Sequence, residues 1–290
     1  MQETILVTGA TGTVGRETIK QFALLDVKVR AGVHSIIKGE NLKRLPGVEV
    51  VEMEFARPES LKAAFTNVNR LFLITPFTED QVDLAKILVD EAKAAGVSHI
   101  VRLSAMGADA VPGIQLGRTH REIEKYIEES GIAYTHIRPA GFMQNLLMAM
   151  DSIKDENKFY MPVGEGKVSY IDARDVAAVA VAALTGTGHE GEVYEITGPE
   201  AISHTEVAGF LSQATGKTVE YVDVSEEAAR EAMHAQQLPG WMVSGLLELY
   251  NLYKAGYGSD VTNTVRQVTG REPHSFQQFA TDYSSCFVAS

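Results

Sequence analysis

Three glycines, Gly9, Gly12 and Gly15, stand three residues apart, directly after the apolar run Thr4–Val7 and before a helical pattern. A glycine-rich turn between a strand and a helix offers an anion free backbone amides and the positive end of the helix. Gly9 permits the tight turn, Gly12 admits a pyrophosphate with no Cβ in the way, and Gly15 lets the helix pack close to the strand. The segment Gly9-Ala10-Thr11-Gly12-Thr13-Val14-Gly15 is therefore read as the phosphate cradle of a dinucleotide. The plain alternative is a glycine-rich turn with no ligand.

An NAD site usually carries an acid about 20 residues past this turn, on the ribose hydroxyls. Here Val29–Lys38 holds no Asp or Glu but does hold Arg30, His34 and Lys38. Basic groups suit a 2′-phosphate, so NADP is favoured and NAD remains admissible. Arg30 and Lys38 could equally be ordinary solvated surface cations.

The elements that must carry these residues follow from periodicity. Short apolar runs at Thr4–Val7, Val27–Gly32, Val48–Glu52, Leu71–Ile74, His99–Leu103 and Tyr134–Arg138 read as strands. Helical patterns at Glu17–Leu25, Pro58–Phe65, Asp80–Ala95 and Thr119–Ser130 alternate with them, with Gly96 and Gly131 as stops. This predicts an α/β Rossmann protein with a doubly wound parallel sheet. After Phe142 the rhythm changes to one apolar helix, Asp175–Leu184, a strand, Val193–Ile196, and a mostly helical remainder. Residues 1–145 are expected to form the NAD(P)-binding domain. Residues 146–290 are expected to form a smaller, mostly helical C-terminal substrate lobe, partly interleaved with the first and packed over the strand ends.

Composition limits the partners. The 290 residues carry 26 Lys and Arg against 38 Asp and Glu, a net charge of -12, which disfavours nucleic acid and anionic membrane surfaces. A single cysteine, Cys286, allows no intrachain disulfide and no thiolate zinc site. No apolar run reaches the roughly 20 residues of a membrane span, and the first strand at Thr4 leaves no room for a signal peptide. A cytoplasmic protein, monomer or homodimer, is expected.

The GxxGxxG spacing, with Val7-Thr8 before it, resembles the short-chain dehydrogenase/reductase superfamily. Further marks are Leu71-Phe72-Leu73-Ile74-Thr75-Pro76, His120-x-x-x-Glu124, Arg138–Asn145, Asp172–Asp175 and Thr269–Pro273. With these the chain is identified as an NmrA-like member of the atypical branch, similar to type 2 quinone oxidoreductases and triphenylmethane reductases. The resemblance implies that His34 and Lys38 face the adenosine 2′-phosphate, although His34 stands where an arginine is usual. It also implies that Glu54-Phe55 meets the adenine, that Thr75-Pro76 lies along the dinucleotide, and that Phe142 and Asn145 line the nicotinamide end.

The superfamily ordinarily uses Tyr-x-x-x-Lys on the helix after the fifth strand, the lysine lowering the tyrosine's pKa. At the corresponding positions this chain has His120 and Glu124. A literal match at Tyr250–Lys254 lies far downstream and is read as packing. Reducing an isolated ketone makes an alkoxide that needs a proton donor, whereas a quinol oxygen has a pKa near 10 and solvent can protonate it. The expected function is therefore NAD(P)H-dependent hydride transfer to a quinone-like or other conjugated aromatic acceptor. The alternative is a regulatory protein that senses NADP(H) without turnover. His120, the catalytic candidate, could donate a proton, bind the nicotinamide ribose, or be a plain helix histidine. Ser104 sits where the superfamily's catalytic serine often lies, or is a strand-end cap. His120 with Glu124 has a spacing that metals can use, but no third ligand is evident and no metal is expected. Met143, Met148, Met150, Trp241 and Met242 could line an apolar pocket or belong to the core.

Overall fold

A computed structural model describes residues 3–288. The chain begins with β1 (Thr4–Val7), α1 (Thr13–Phe22), β2 (Lys28–Val33), β3 (Val48–Glu52), α2 (Pro58–Phe65), β4 (Arg70–Leu73), α3 (Gln81–Ala94), β5 (His99–Leu103), α4 (Gln115–Ser130) and β6 (Ala133–Pro139). There follow α5 (Met150–Glu156), β7 (Lys158–Met161), α6 (Ala173–Thr185), β8 (Val193–Ile196), α7 (His204–Thr215), β9 (Glu220–Asp223), α8 (Glu226–Ala235), α9 (Gly240–Lys254), α10 (Thr264–Thr269) and α11 (Phe276–Asp282).

Seven strands form one sheet in the order β3-β2-β1-β4-β5-β6-β8, and β1 to β6 pair in parallel throughout. The order reverses at β1, so the crevice beyond the carboxyl ends of β1 and β4 is the switch point where open α/β sheets bind ligands. Parallel strands are covered on both faces. One face meets α2, α3 and α4 through Leu6, Leu71, Leu73 and Ile100 against Leu61, Phe65, Leu88, Val89, Ile123 and Ile127. On the other, α1 packs against α6, whose all-round apolar sequence fits complete burial. Burying these side chains contributes roughly 1.5–3 kcal/mol each before entropy is charged against it.

The chain divides into two compact units. One comprises Met1–Asp109, Gly117–Pro139 and Ala173–Glu195, and holds the sheet with its covering helices. The other comprises Ala110–Leu116, Ala140–Asp172 and Ile196–Ser290. The second has its own core, in which Phe159, Tyr170, Leu211, Phe276 and Phe279 are buried, and a two-stranded parallel sheet of β7 and β9.

Several boundaries differ from the periodic reading. Helix α1 begins at Thr13, inside the glycine turn, because Gly12 itself is the N-cap. Helix α4 begins at Gln115, four residues before the expected start at Thr119. Gly117, inside this helix, serves a close approach: a Cβ there would lie 2.9 Å from the Gly107 carbonyl. The pair β7–β9 is invisible to periodicity because these strands are mostly half-buried or exposed and carry no aliphatic run.

Candidate functional site

The glycine turn is built as its spacing requires. Gly9 has φ +59°, a left-handed conformation that an L side chain resists. The Gly12 amide donates to the Gly9 carbonyl at 2.9 Å, so it closes the turn and is not itself available. The Ala10 amide donates to the Gly32 carbonyl at 3.1 Å and ties the turn to β2. The amides of Thr13, Val14 and Gly15 open α1, where the first turn of a helix leaves its N–H groups unpaired. A Cβ on Gly15 would stand 2.3 Å from the Gly9 carbonyl, which forbids it, whereas one on exposed Gly12 would meet only that carbonyl, at 3.3 Å. The cradle is open at Gly12 and full at Gly15, which fits a phosphate approaching the former.

At the end of β2, His34 and Lys38 are exposed, and neither side chain has a partner among the described residues. Arg30 differs from both sequence readings. It is buried, donates Nη1 to the Ala64 and Thr66 carbonyls at 2.7 and 2.8 Å, and pairs Nε with Glu49 at 3.0 Å. It caps the carboxyl end of α2 and is neither a phosphate ligand nor a solvated cation. Glu54 and Phe55 follow β3 half-buried, with Arg57 bridging Glu52 and Glu54. After β4, Thr75 is half-buried and Pro76 exposed. Thr8 staples this end to β1, its hydroxyl donating to the Ile74 carbonyl and accepting from the Ile74 amide, both at 2.8 Å.

Beyond β5 lies a buried charge network. Glu124, fully buried on α4, accepts from Ser104 at 2.7 Å, from Arg138 Nε and Nη2 at 2.9 and 2.8 Å, and from Arg121 at 3.0 Å. Burial alone would raise this carboxyl, but the hydrogen bonds from Arg138 and Ser104 outweigh it and hold the pKa at about 2. Arg121 also reaches Glu128, and Arg138 reaches Asp109 at 2.7 Å. Glu124, Glu128 and His136 bring possible ligand atoms within 4.8 Å of one another, but the two carboxylates already hold these arginines.

Beside it, Arg102 is almost wholly buried on β5, donating to the Leu73 and Leu103 carbonyls and, at 3.1 Å, to the Thr75 hydroxyl. Burial draws its pKa down to about 10, which leaves it a cation at neutral pH. His120 is half-buried, one turn before Glu124. Burial and the Arg102 charge push its pKa to about 3, against the pull of Glu124, so the imidazole is neutral. His120 Nδ1 and Arg102 Nε are shielded from solvent with no hydrogen-bond partner among the described residues. Such orphans cost about 1–3 kcal/mol each, and a polar ligand would relieve them. Arg102, Thr8 and Arg138 carried no weight in the sequence reading as site residues. The signal for Arg102 was a charge inside the otherwise apolar strand His99–Leu103.

The remaining candidates lie in the second unit. Phe142 is half-buried, bridged to Ile171, and Asn145 is exposed on the turn that follows. Met143 is core, while Met148 and Met150 are exposed. Tyr250 packs against Ala229, Val243 and Leu247, and burial raises its pKa, the opposite of activation by a lysine.

The chain is 41% identical over 286 residues to an NAD(P)H azoreductase of Xenophilus azovorans, covering 99% of this chain and all of that one. An NADPH-dependent quinone oxidoreductase of Escherichia coli, solved with NADPH, superposes with a TM-score of 0.85 at 28% identity, covering 96% of this chain and 99% of that chain. A Citrobacter triphenylmethane reductase solved with NADP(H) gives 0.81 at 26% identity, covering 97% and 99%. The family model described as NmrA-like matches residues 1–281, and the chain belongs to the NmrA-like family.

Proposed function

We propose that the protein is an NAD(P)H-dependent reductase that passes a hydride to a quinone-like, azo or other conjugated aromatic acceptor, with NADPH as the favoured donor. The observation that carries this reading is on α4. Where a carbonyl reductase would present tyrosine and lysine, this helix presents a neutral imidazole and a carboxylate sealed in an ion pair. No side chain there stores a proton for an alkoxide, while the phosphate cradle is complete.

When bound, the dinucleotide supplies a hydride, that is, two electrons and a proton's mass in one step. The chain's own residues hold it. The first-turn amides of α1 take the pyrophosphate, with Gly12 leaving the approach clear. His34 and Lys38 take the 2′-phosphate by charge. Glu54 and Phe55 border the adenine, and Thr75, steadied by Arg102, lies along the dinucleotide with Pro76. With its pKa near 3, His120 acts as a hydrogen-bonding group and not as an acid that cycles near neutrality. Holding donor and acceptor in register supplies most of the acceleration, which effective molarities show can reach about 7–11 kcal/mol.

The azoreductase and quinone oxidoreductase relatives support this acceptor class. The test follows NADPH absorbance against a panel of quinones, azo dyes, enones and simple ketones. Oxidation is expected with the conjugated acceptors and not with the ketones. A protein that binds NADPH yet reduces none of the panel would refute the enzyme reading in favour of a dinucleotide sensor.

Among the described residues, no helix is long and apolar enough to cross a membrane.

A further inference from the structure

The four hydrogen bonds on Glu124 use all of its acceptor capacity. Oε1 takes the Ser104 hydroxyl and Arg138 Nε, and Oε2 takes Arg138 Nη2 and Arg121 Nη1. An ionised carboxylate only accepts, so the single hydroxyl hydrogen of Ser104 has to point at Glu124. The two lone pairs of Ser104 are all that this side chain can offer to anything else. Ser104 follows directly after β5, and its amide donates to the Ile137 carbonyl at 2.7 Å, which fixes its backbone. Ser104 as a whole residue is buried. A serine that activates a carbonyl must give its hydrogen to the carbonyl oxygen. Ser104 can do so only by abandoning a charge-assisted bond to a buried carboxylate.

Resting on the proposed function, and taking its site to extend from the β1–β4 crevice to the neighbouring carboxyl end of β5, we infer that Glu124 is a specificity-determining residue acting through Ser104: it makes the serine a pure hydrogen-bond acceptor, so the site takes an O–H or N–H donor there and gives nothing to a carbonyl oxygen. Two groups share that donor chemistry, a hydroxyl or amide of the dinucleotide and the hydroxyl of a reduced, quinol-like acceptor. Arg138 and Arg121 are the reason the arrangement holds, since they keep Glu124 ionised.

The test uses the full-length protein and its Ser104→Ala, Glu124→Gln and doubly substituted forms. Each is titrated with NADPH. Each is then loaded with NADP and titrated with phenol, a donor, and with acetophenone, an acceptor of similar size that cannot react with the oxidised cofactor. In Glu124→Gln the amide oxygen keeps the place of Oε2, with Arg138 Nη2 and Arg121 Nη1, and the NH₂ takes the place of Oε1, donating to Ser104 and freeing its hydrogen while Arg138 Nε loses its partner. If the dinucleotide is the donor, Ser104→Ala weakens NADPH about tenfold and leaves the phenol-to-acetophenone ratio alone. If the acceptor site is the donor's place, Ser104→Ala erases a preference for phenol of about tenfold. Glu124→Gln then shifts the ratio toward acetophenone, and the double substitution cancels that shift. The inference is overturned if folded Ser104→Ala keeps both the NADPH affinity and the ratio within about twofold of the parent. It is equally overturned if Glu124→Gln acts the same with and without Ser104. Should Glu124→Gln not fold, Ser104→Ala alone decides. A parent protein that binds no NADPH would overturn the proposed function, and the inference with it.

Discussion

Two glycines three residues apart should fail in opposite ways when given side chains. Gly12 has φ −75° and ψ 177°, ordinary for any residue, and a Cβ there meets only the Gly9 carbonyl, at 3.3 Å. Gly12→Val therefore leaves the turn intact, at the cost of a poorer helix cap worth about 1 kcal/mol. In a chain of this size that lowers the melting temperature by roughly 2–4 °C. The branched side chain nevertheless stands over the amides of Thr13, Val14 and Gly15. Losing one or two charge-assisted bonds to a phosphate costs about 1.5–3 kcal/mol each. The dinucleotide Kd should therefore rise by about tenfold for one bond at the lower value and by about 10⁴-fold for two at the upper. Gly15→Ala places its Cβ 2.3 Å from the Gly9 carbonyl and 2.9 Å from Ala10 Cα, both backbone, so the turn or α1 must move. That variant should lose stability first, by several kcal/mol, and bind poorly as a consequence. Calorimetric titration with NADPH alongside thermal melts separates the two. If folded Gly12→Val binds with parental affinity, the phosphates do not lie over this turn, and the assignment of the cradle is wrong.

Three further outcomes are expected. NADPH should bind more tightly than NADH, and Lys38→Ala should narrow the gap by about 1–2 kcal/mol, read from paired dissociation constants; equal constants in the parent would remove His34 and Lys38 from the site. His120→Ala should keep kcat within about tenfold, and the parent's rate should show no ionisation of His120 between pH 5 and 8, because its pKa is near 3; a loss of about 10² at saturation would make it the proton donor after all. Arg138→Met should destabilise the fold at pH 7 by about 3–5 kcal/mol by stranding the buried Glu124 carboxylate. The Glu124 pKa is depressed in the native state, so its stabilising contribution is full above the ordinary carboxyl value and is lost as pH falls toward 2. The gap between Arg138→Met and parent, measured by urea midpoints, should therefore shrink from pH 7 to pH 3, and a gap that stays constant would contradict the assignment.

The parallel sheet and its glycine turn were legible because each rests on a local pattern. Buried parallel strands are short apolar runs, and Gly9, Gly12 and Gly15 mark a turn that few other residues can make. Strand limits such as Val48–Glu52 and His99–Leu103 were recovered to the residue. The helix Pro58–Phe65 was recovered likewise, whereas α1 and α4, expected from Glu17 and Thr119, start at Thr13 and Gln115, because contacts outside the local window decide there. The charges were harder still. Arg30 and Arg102 look alike in sequence, each a cation in an apolar strand, yet one caps α2 and the other faces the carbonyl ends of β4 and β5. Which way such a side chain turns depends on partners 29–36 residues away, and no window along the chain contains them. Ser104 shows the same limit. Its type and place suggested a catalytic hydroxyl or a cap, and only the position of Glu124 decides where its hydrogen points.

The buried charges also resolve how so acidic a chain can hold an anionic dinucleotide. With 38 acids against 26 bases, the surface field as a whole repels phosphate. Inside the sheet unit three arginines, Arg102, Arg121 and Arg138, stand among four acids, Glu124, Glu128, Asp109 and Glu195, and the arrangement matters more than the sum. Arg121 and Arg138 are paired with Glu124, Glu128 and Asp109, whereas Arg102, which feels Glu124 at a distance, has carbonyl and hydroxyl oxygens as its hydrogen-bond partners among the described residues. A cation in a low-dielectric interior is felt more strongly than one in water. It lies against Thr75, at the carboxyl end of β4, beside the switch point whose other wall is the glycine turn with its helix end. Two sources of positive potential, one from backbone amides and one from a buried guanidinium, thus face the same end of the sheet. Burial first, and this cation second, keep His120 neutral, which takes imidazolium acid chemistry out of reach. A site with that combination favours acceptors whose reduced form solvent can protonate.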